Sequence, residues 1–111
     1  HIADRCGFVS TIDGNPIGVA SWDPRNMPEY AIIGHNCIAT AFKVHGYGTQ
    51  QILEAIRRIS ESDFKKIIVT TNDLMIPAKH MYERAGFRMI RRRENKHFSG
   101  GYIDYEYSLR D

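Results

Sequence analysis

The sequence predicts a mixed α/β domain, one sheet packed by two helices, in the order β-β-β-α-β-α-β-β. Three observations carry this. Two segments place apolar residues at helical spacing, Ile52, Leu53, Ile56 and Ile59 in one and Ala78, Met81, Tyr82 and Ala85 in the other. Between and around them lie short β-prone runs, two of them apolar at successive positions like strands buried inside a sheet. The closing run alternates instead, Ile103, Tyr105, Tyr107 and Leu109 against Asp104, Glu106 and Ser108, so one of its faces should be buried and the other wet.

In chain order, residues 6–11 form a first strand and Asp13-Gly14-Asn15-Pro16 a turn. Residues 17–22 return as the second strand of a hairpin. Residues 23–29 carry Pro24 and Pro28 and read as a loop. Residues 30–39 form a third strand, with Ile32, Ile33, Cys37 and Ile38 making it apolar on both faces, hence central and covered on both sides. A helix follows over about residues 48–60, its polar side assigned to Gln51, Glu54, Arg57 and Arg58. Residues 66–71, with Ile67-Ile68-Val69, make another central strand, joined to the third by a right-handed parallel crossover. The second helix spans about residues 75–85, with Pro77 tolerable only in its first turn and Gly86 as its stop. Residues 87–94 and 102–109 close the sheet around a loop containing Ser99-Gly100-Gly101.

All 111 residues make one domain, 1–111, with no repeat and no low-complexity tract. The 42% hydrophobic and 25% charged content is that of an ordinary soluble protein. No apolar run approaches the roughly 20 residues that span a bilayer, and no signal-peptide pattern opens the chain, so neither a membrane nor a secretory route is expected. A net charge of +2 is too small to call for nucleic acid. Arg91-Arg92-Arg93 alternate faces in a strand and read as a solvated edge. Cys6 and Cys37 lack partners at zinc spacing, which argues against a metal site and for reduced thiols in a cytosolic, cytoplasmic protein.

Lys43-Val44-His45-Gly46-Tyr47-Gly48 joins the third strand to the first helix. A helix start leaves backbone N–H groups unpaired at the positive end of its dipole, and glycine lets an anion approach them. Lys43 and His45 add charge or donors. Two glycines making only a tight turn would fit the spacing equally well. Two other phosphate motifs are excluded: Gln51 stands where a dinucleotide fingerprint needs glycine, and Thr49-Gln50 stand where a P-loop needs Lys-Ser/Thr.

This segment resembles the signature of the GNAT superfamily of acyl-CoA-dependent N-acyltransferases, with Lys43 in its first place and Val44 where many members have glycine. Thr71-Asn72, Ala78, Tyr82-Glu83 and Ala85-Gly86-Phe87 resemble the family's second conserved block. The resemblance runs over roughly residues 6–109. It implies a GNAT-like fold whose third and fourth strands splay to admit the pantetheine arm of acetyl-CoA. Backbone groups of Cys37, Ile38 and Ala39 would pair with that arm, and Asn72 would contact it. The amides of His45, Gly46, Tyr47, Gly48, Thr49 and Gln50 would hold the pyrophosphate, beside Lys43.

The implied reaction moves an acetyl group to a primary amine, of a small molecule or a protein, by direct attack in a ternary complex. Tyr82 matches the family's general acid, although a tyrosine on an apolar stripe is as readily a core residue. His35 suits the general base, with Glu29 acting through water as a weaker choice. Cys37 reads as a small apolar filler beside the thioester. Lys79 and Arg84 are within reach of the adenosine phosphate by the same resemblance. Typical members carry a strand and two helices before the hairpin, whereas residues 1–5 alone precede it here. Three arrangements stay open: a truncated chain, a homodimer whose second subunit completes the acceptor pocket, and a catalytically reduced acyl-CoA-binding or dimerisation module.

Overall fold

The computed structural model describes residues 6–43, 45–94 and 100–110. Val44 of the glycine segment, Ser99 of the closing loop and residues 1–5 lie outside them. The strands are β1 (Gly7–Ile12), β2 (Asn15–Asp23), β3 (Tyr30–Ile38), β4 (Lys66–Asn72), β5 (Arg88–Arg93) and β6 (Tyr102–Ser108), and the helices are α1 (Tyr47–Ser60) and α2 (Ile76–Ala85). They form one six-stranded sheet in the order β1-β2-β3-β4-β6-β5. The expected mixed α/β architecture and element order are therefore present. A 3-10 turn at Thr40–Phe42, not expected from the sequence, follows β3.

Local chemistry explains the boundaries. Asp13 and Gly14 both take positive φ (51° and 82°), and Ile12 pairs with Asn15, which makes the two-residue turn whose twist matches a hairpin. Pro77 sits in the first turn of α2, where its missing N–H costs nothing. Gly86 ends that helix at φ 106°, a conformation that suits glycine.

Both helices pack on one face of the sheet. Ala20, Ala31, Ile33, Ile67, Val69, Ile103 and Tyr105 from the strands meet Ile52, Ala55, Ile56, Ile59, Tyr82 and Ala85 in a single core. Two expectations fail on α1. Leu53, assigned to the apolar stripe, is exposed, and Gln51, assigned to the wet side, is 3% exposed. The stripe is rotated because Gln51 spends its polarity on strand atoms instead of water.

The other face also differs from expectation. Among the described residues no helix covers it, so β3 is buried on one side only. Val9, Val19 and Cys37 lie in register across β1, β2 and β3 and are all exposed on that face.

Asp104, expected to face water, is 1% exposed. Its carboxylate accepts from Thr70 Oγ1 at 2.5 Å, Arg91 Nε at 2.7 Å, and Arg93 Nε and Nη2 at 2.9 and 2.8 Å. Arg92 reaches Asp73 Oδ1 at 3.0 Å. The arginine run lies on the exposed edge strand β5, as expected, and it also clamps that strand to β6, β4 and the turn after β4. Burial pushes the Asp104 carboxyl up, but the bonds from Arg93, Thr70 and Arg91 more than offset this and hold it at about 2.

A carboxyl depressed in the folded state stabilises the fold above its unfolded pKa, near 3.8, and loses that contribution as pH falls through about 2. Asp104→Asn should cost about 2–3 kcal/mol in urea unfolding at pH 7. That lies below the roughly 3–5 kcal/mol of a fully buried pair, because both arginines remain partly hydrated. Between pH 4 and pH 2 the gap between wild type and variant should narrow. A gap that stays constant would show that the carboxylate charge is not what stabilises.

Candidate functional site

β3 and β4 are parallel neighbours over three positions only: Tyr30, Ala31 and Ile32 opposite Lys66, Ile67 and Ile68. Beyond these the strands part. β3 stays with β2 as far as Ile38, and β4 stays with β6 as far as Asn72. The result is a wedge-shaped gap in the middle of the sheet. The glycine segment and the start of α1 lie at its open end.

A bulge sets which side chains face which side of the gap. Trp22 pairs with Ile33 but Ser21 pairs with His35, so Gly34 is the extra residue. After it, Asn36 pairs with Ala20 and faces the helices, while His35 pairs with Ser21 and faces the open side. His35 is exposed, with Nδ1 2.9 Å from Ser21 Oγ.

Tyr82 enters from the helix side. It is 6% exposed, its ring centroid 5.6 Å from that of Phe87 and 6.1 Å from that of Tyr105. Burial pushes its hydroxyl above the usual phenol range, and hydrogen bonding from the Asn36 side chain acts in the opposite direction. His35 and Tyr82 are therefore on opposite faces of the sheet, on either side of the gap. Glu29 lies at the closed end, where β3 and β4 are paired, and is salt-bridged to Lys65 at 3.3 Å.

The cradle is a helix start without a cap. Gly46 takes φ 81° and no side chain caps α1, whose first internal bond is Gln50 N–H to Gly46 O at 3.1 Å. The N–H groups of Tyr47, Gly48 and Thr49 are left without a helical partner, whereas that of Gln50 is already used. No acidic residue occupies the first turn, and Lys43 and His45 are exposed beside it. That donor set suits an anion.

The two glycines serve different ends. A Cβ on Gly46 would meet nothing within 4 Å, so its requirement is the positive φ. A Cβ on Gly48 would lie 3.0 Å from Met81 Sδ, so its requirement is the close approach of α2 to α1.

The three β3 positions expected to pair with a ligand also separate. Ala39 N–H donates to Ile17 O at 2.7 Å, and Cys37 O accepts from Gln51 Nε2 at 3.1 Å. By strand alternation the backbone groups of Ile38 point the other way, into the gap. Asn72 ends β4 with its Oδ1 accepting from Leu74 N–H at 2.7 Å. Lys79, within reach of a phosphate by resemblance, is tied to Asp73 at 2.8 Å.

Sequence reasoning missed three parts of this site. The Gly34 bulge leaves no periodic signal beyond the glycine itself. Gln51 reads as one more polar residue on a helix. Asn36 lies in a stretch read only as a strand end. Among the described residues no cluster of His, Cys, Asp and Glu could hold a metal, and no helix is long and apolar enough to cross a membrane.

A sequence model described as the acetyltransferase (GNAT) family matches residues 1–87. No curated protein matches the chain. Solved structures do. An Elizabethkingia anophelis GNAT family acetyltransferase with acetyl-CoA bound superposes with a TM-score of 0.83 at 18% identity, covering 92% of this chain and 74% of that one. A Bacillus subtilis acetyltransferase in complex with CoA gives 0.85 at 16% identity, covering 95% and 78%. The Escherichia coli ribosomal-protein-S18-alanine N-acetyltransferase gives 0.83 at 15% identity, covering 95% and 69%.

Gly46→Ala should lower stability by about 1–2 kcal/mol through backbone strain alone, the cost of a left-handed residue bearing a Cβ. Gly48→Ala should perturb the Met81 methyl resonance, which Gly46→Ala leaves in place. Equal effects of both on Met81 in NMR spectra would contradict this division.

Proposed function

The chain belongs to the acetyltransferase (GNAT) family, and on that premise we propose that it moves an acetyl group from acetyl-CoA to a primary amine by direct attack in a ternary complex. The observation carrying this reading is the gap between β3 and β4 with an uncapped helix start at its mouth. The amides of Tyr47, Gly48 and Thr49 fit a diphosphate, with Lys43 and His45 adding charge at the rim. Ile38 offers strand-like backbone pairing to the pantetheine arm, and the amide nitrogen of Asn72 is its second contact. Acetyl-CoA as co-substrate supplies the activated acyl group.

The chain's own groups divide the proton work between the two faces. His35, steadied by Ser21, takes a proton from the amine on the open side. Tyr82 gives its proton to the leaving sulfur on the helix side, where burial keeps the phenol protonated. The acceptor is the amine of a small molecule or a protein. Neither Cys6 nor Cys37 is in a disulfide, which goes with a cytoplasmic location.

Millimolar acetyl-CoA should raise the thermal midpoint, and no shift would remove the basis of the reading. Over a panel of amino acids, polyamines, aminoglycosides and peptides, CoA release should appear with one class. Tyr82→Phe should cut kcat on that amine by about a hundredfold. Binding without turnover of any amine would favour an acyl-CoA-binding module instead.

His35→Gln should lower turnover by about tenfold or more while acetyl-CoA still raises the thermal midpoint. Unchanged turnover would exclude His35 as the base.

A further inference from the structure

A line of side-chain amides runs through the sheet to Tyr82, and backbone carbonyls dictate its direction. Gln51 Nε2 lies 3.0 Å from Val19 O and 3.1 Å from Cys37 O. Carbonyl oxygens only accept, so the nitrogen end of the Gln51 amide faces them. Its Oε1 then accepts from Ser10 Oγ at 2.7 Å. The same Nε2 is 2.8 Å from the Asn36 side chain, whose facing atom must be the acceptor Oδ1. Asn36 Nδ2 is thereby turned toward α2, 3.8 Å from the sulfur of Met81, the residue before Tyr82, and Asn36 hydrogen bonding pulls the Tyr82 hydroxyl down.

The surroundings are shaped for this line. A Cβ on Gly18 would lie 2.7 Å from Gln51 Oε1 and 2.5 Å from Cys37 O, so glycine there is what lets Gln51 reach between the strands. A leucine in place of Gln51 would suit the buried stripe of α1 without desolvating an amide. A leucine could neither bond the strand carbonyls nor orient Asn36.

We infer that Gln51 and Asn36 are positioning residues for Tyr82: Gln51 locks the Asn36 amide with its N–H2 toward the phenol oxygen, which accepts there and keeps its own hydrogen for donation into the gap. The inference rests on Tyr82 being the acid of the proposed reaction. As the phenol gives up its proton, the Asn36 donor steadies the phenolate left behind. The downward pull of Asn36 on the Tyr82 hydroxyl is in that direction.

The test joins a titration that needs no acceptor with a kinetic cycle. With 3-fluorotyrosine incorporated, 19F NMR follows each phenol, and the Tyr82 signal is the one lost in Tyr82→Phe. Asn36→Ala and Asn36→Asp should both move the Tyr82 pKa further up, Asn36→Asp more. Gln51→Met, which keeps the shape but not the lock, should move it the same way and remains informative if Asn36→Asp folds poorly. An unmoved Tyr82 titration in Asn36→Ala and Gln51→Met overturns the inference.

With acetyl-CoA and the amine selected from the panel, Asn36→Asp should lower kcat about tenfold while KM for acetyl-CoA stays within about twofold. In the Tyr82→Phe background it should cost nothing more. Equal losses in both backgrounds overturn the positioning role and leave Tyr82 as the acid. Full activity of Tyr82→Phe alone overturns the acid reading and, with it, the role inferred for Asn36.

Discussion

The parting of β3 from β4 after three paired residues is the constraint around which the molecule is organised. A sheet opened in its middle leaves backbone N–H and C=O groups on two inner edges without ladder partners, which is costly when they are shielded from water. Each lip of the gap must also be held from outside, because the two strands no longer hold each other. On one lip, Gln51 reaches from α1 to the backbone of β2 and the end of β3. On the other, Thr70 is bonded to Asp104, which Arg91 and Arg93 clamp from β5. Both devices bury a polar side chain, and both lie where the strands have separated.

The same constraint explains what was legible in the sequence and what was not. Local rules worked where one residue decides the backbone: the turn at Asp13 and Gly14, the start of α2 at Pro77, its end at Gly86. Periodicity found every strand and both helices. It failed at Gln51 and Asp104, buried polar groups stabilised by partners 14 or more residues away in the chain or by two converging arginines, and at Leu53, which the turned helix leaves exposed. Periodicity carries no sign of those partners. The candidate site was legible as far as the resemblance carried Tyr82, Asn72 and the glycine segment. The resemblance says nothing of Asn36 or Gln51, and they stayed invisible.

The Gly34 bulge ties the sheet to the chemistry. Strict alternation along β3 would put His35 on the same face as Ala31 and Ile33, inside the core. One extra residue shifts the pattern, so that His35 faces open space and Asn36 faces the helices. In the proposed reaction, an acceptor on the open side and a leaving sulfur on the helix side would then find different proton groups without competing for one space. The division costs the sheet one irregular step beside the gap, where the ladder was ending in any case.

Gly46 and Gly48 complete this division at the mouth of the gap. A Cβ on Gly46 would meet no protein atom, whereas one on Gly48 would be pressed by Met81. The pair therefore couples two requirements within one turn. Gly46 turns the chain so that three amides point outward, and Gly48 lets α2 come close enough for Met81, next to Tyr82, to sit against Asn36. A helix start that offered the amides without the close approach would hold an anion but leave the tyrosine too far from the gap. The spacing of the glycines thus joins the candidate anion cradle to the acid of the proposed reaction.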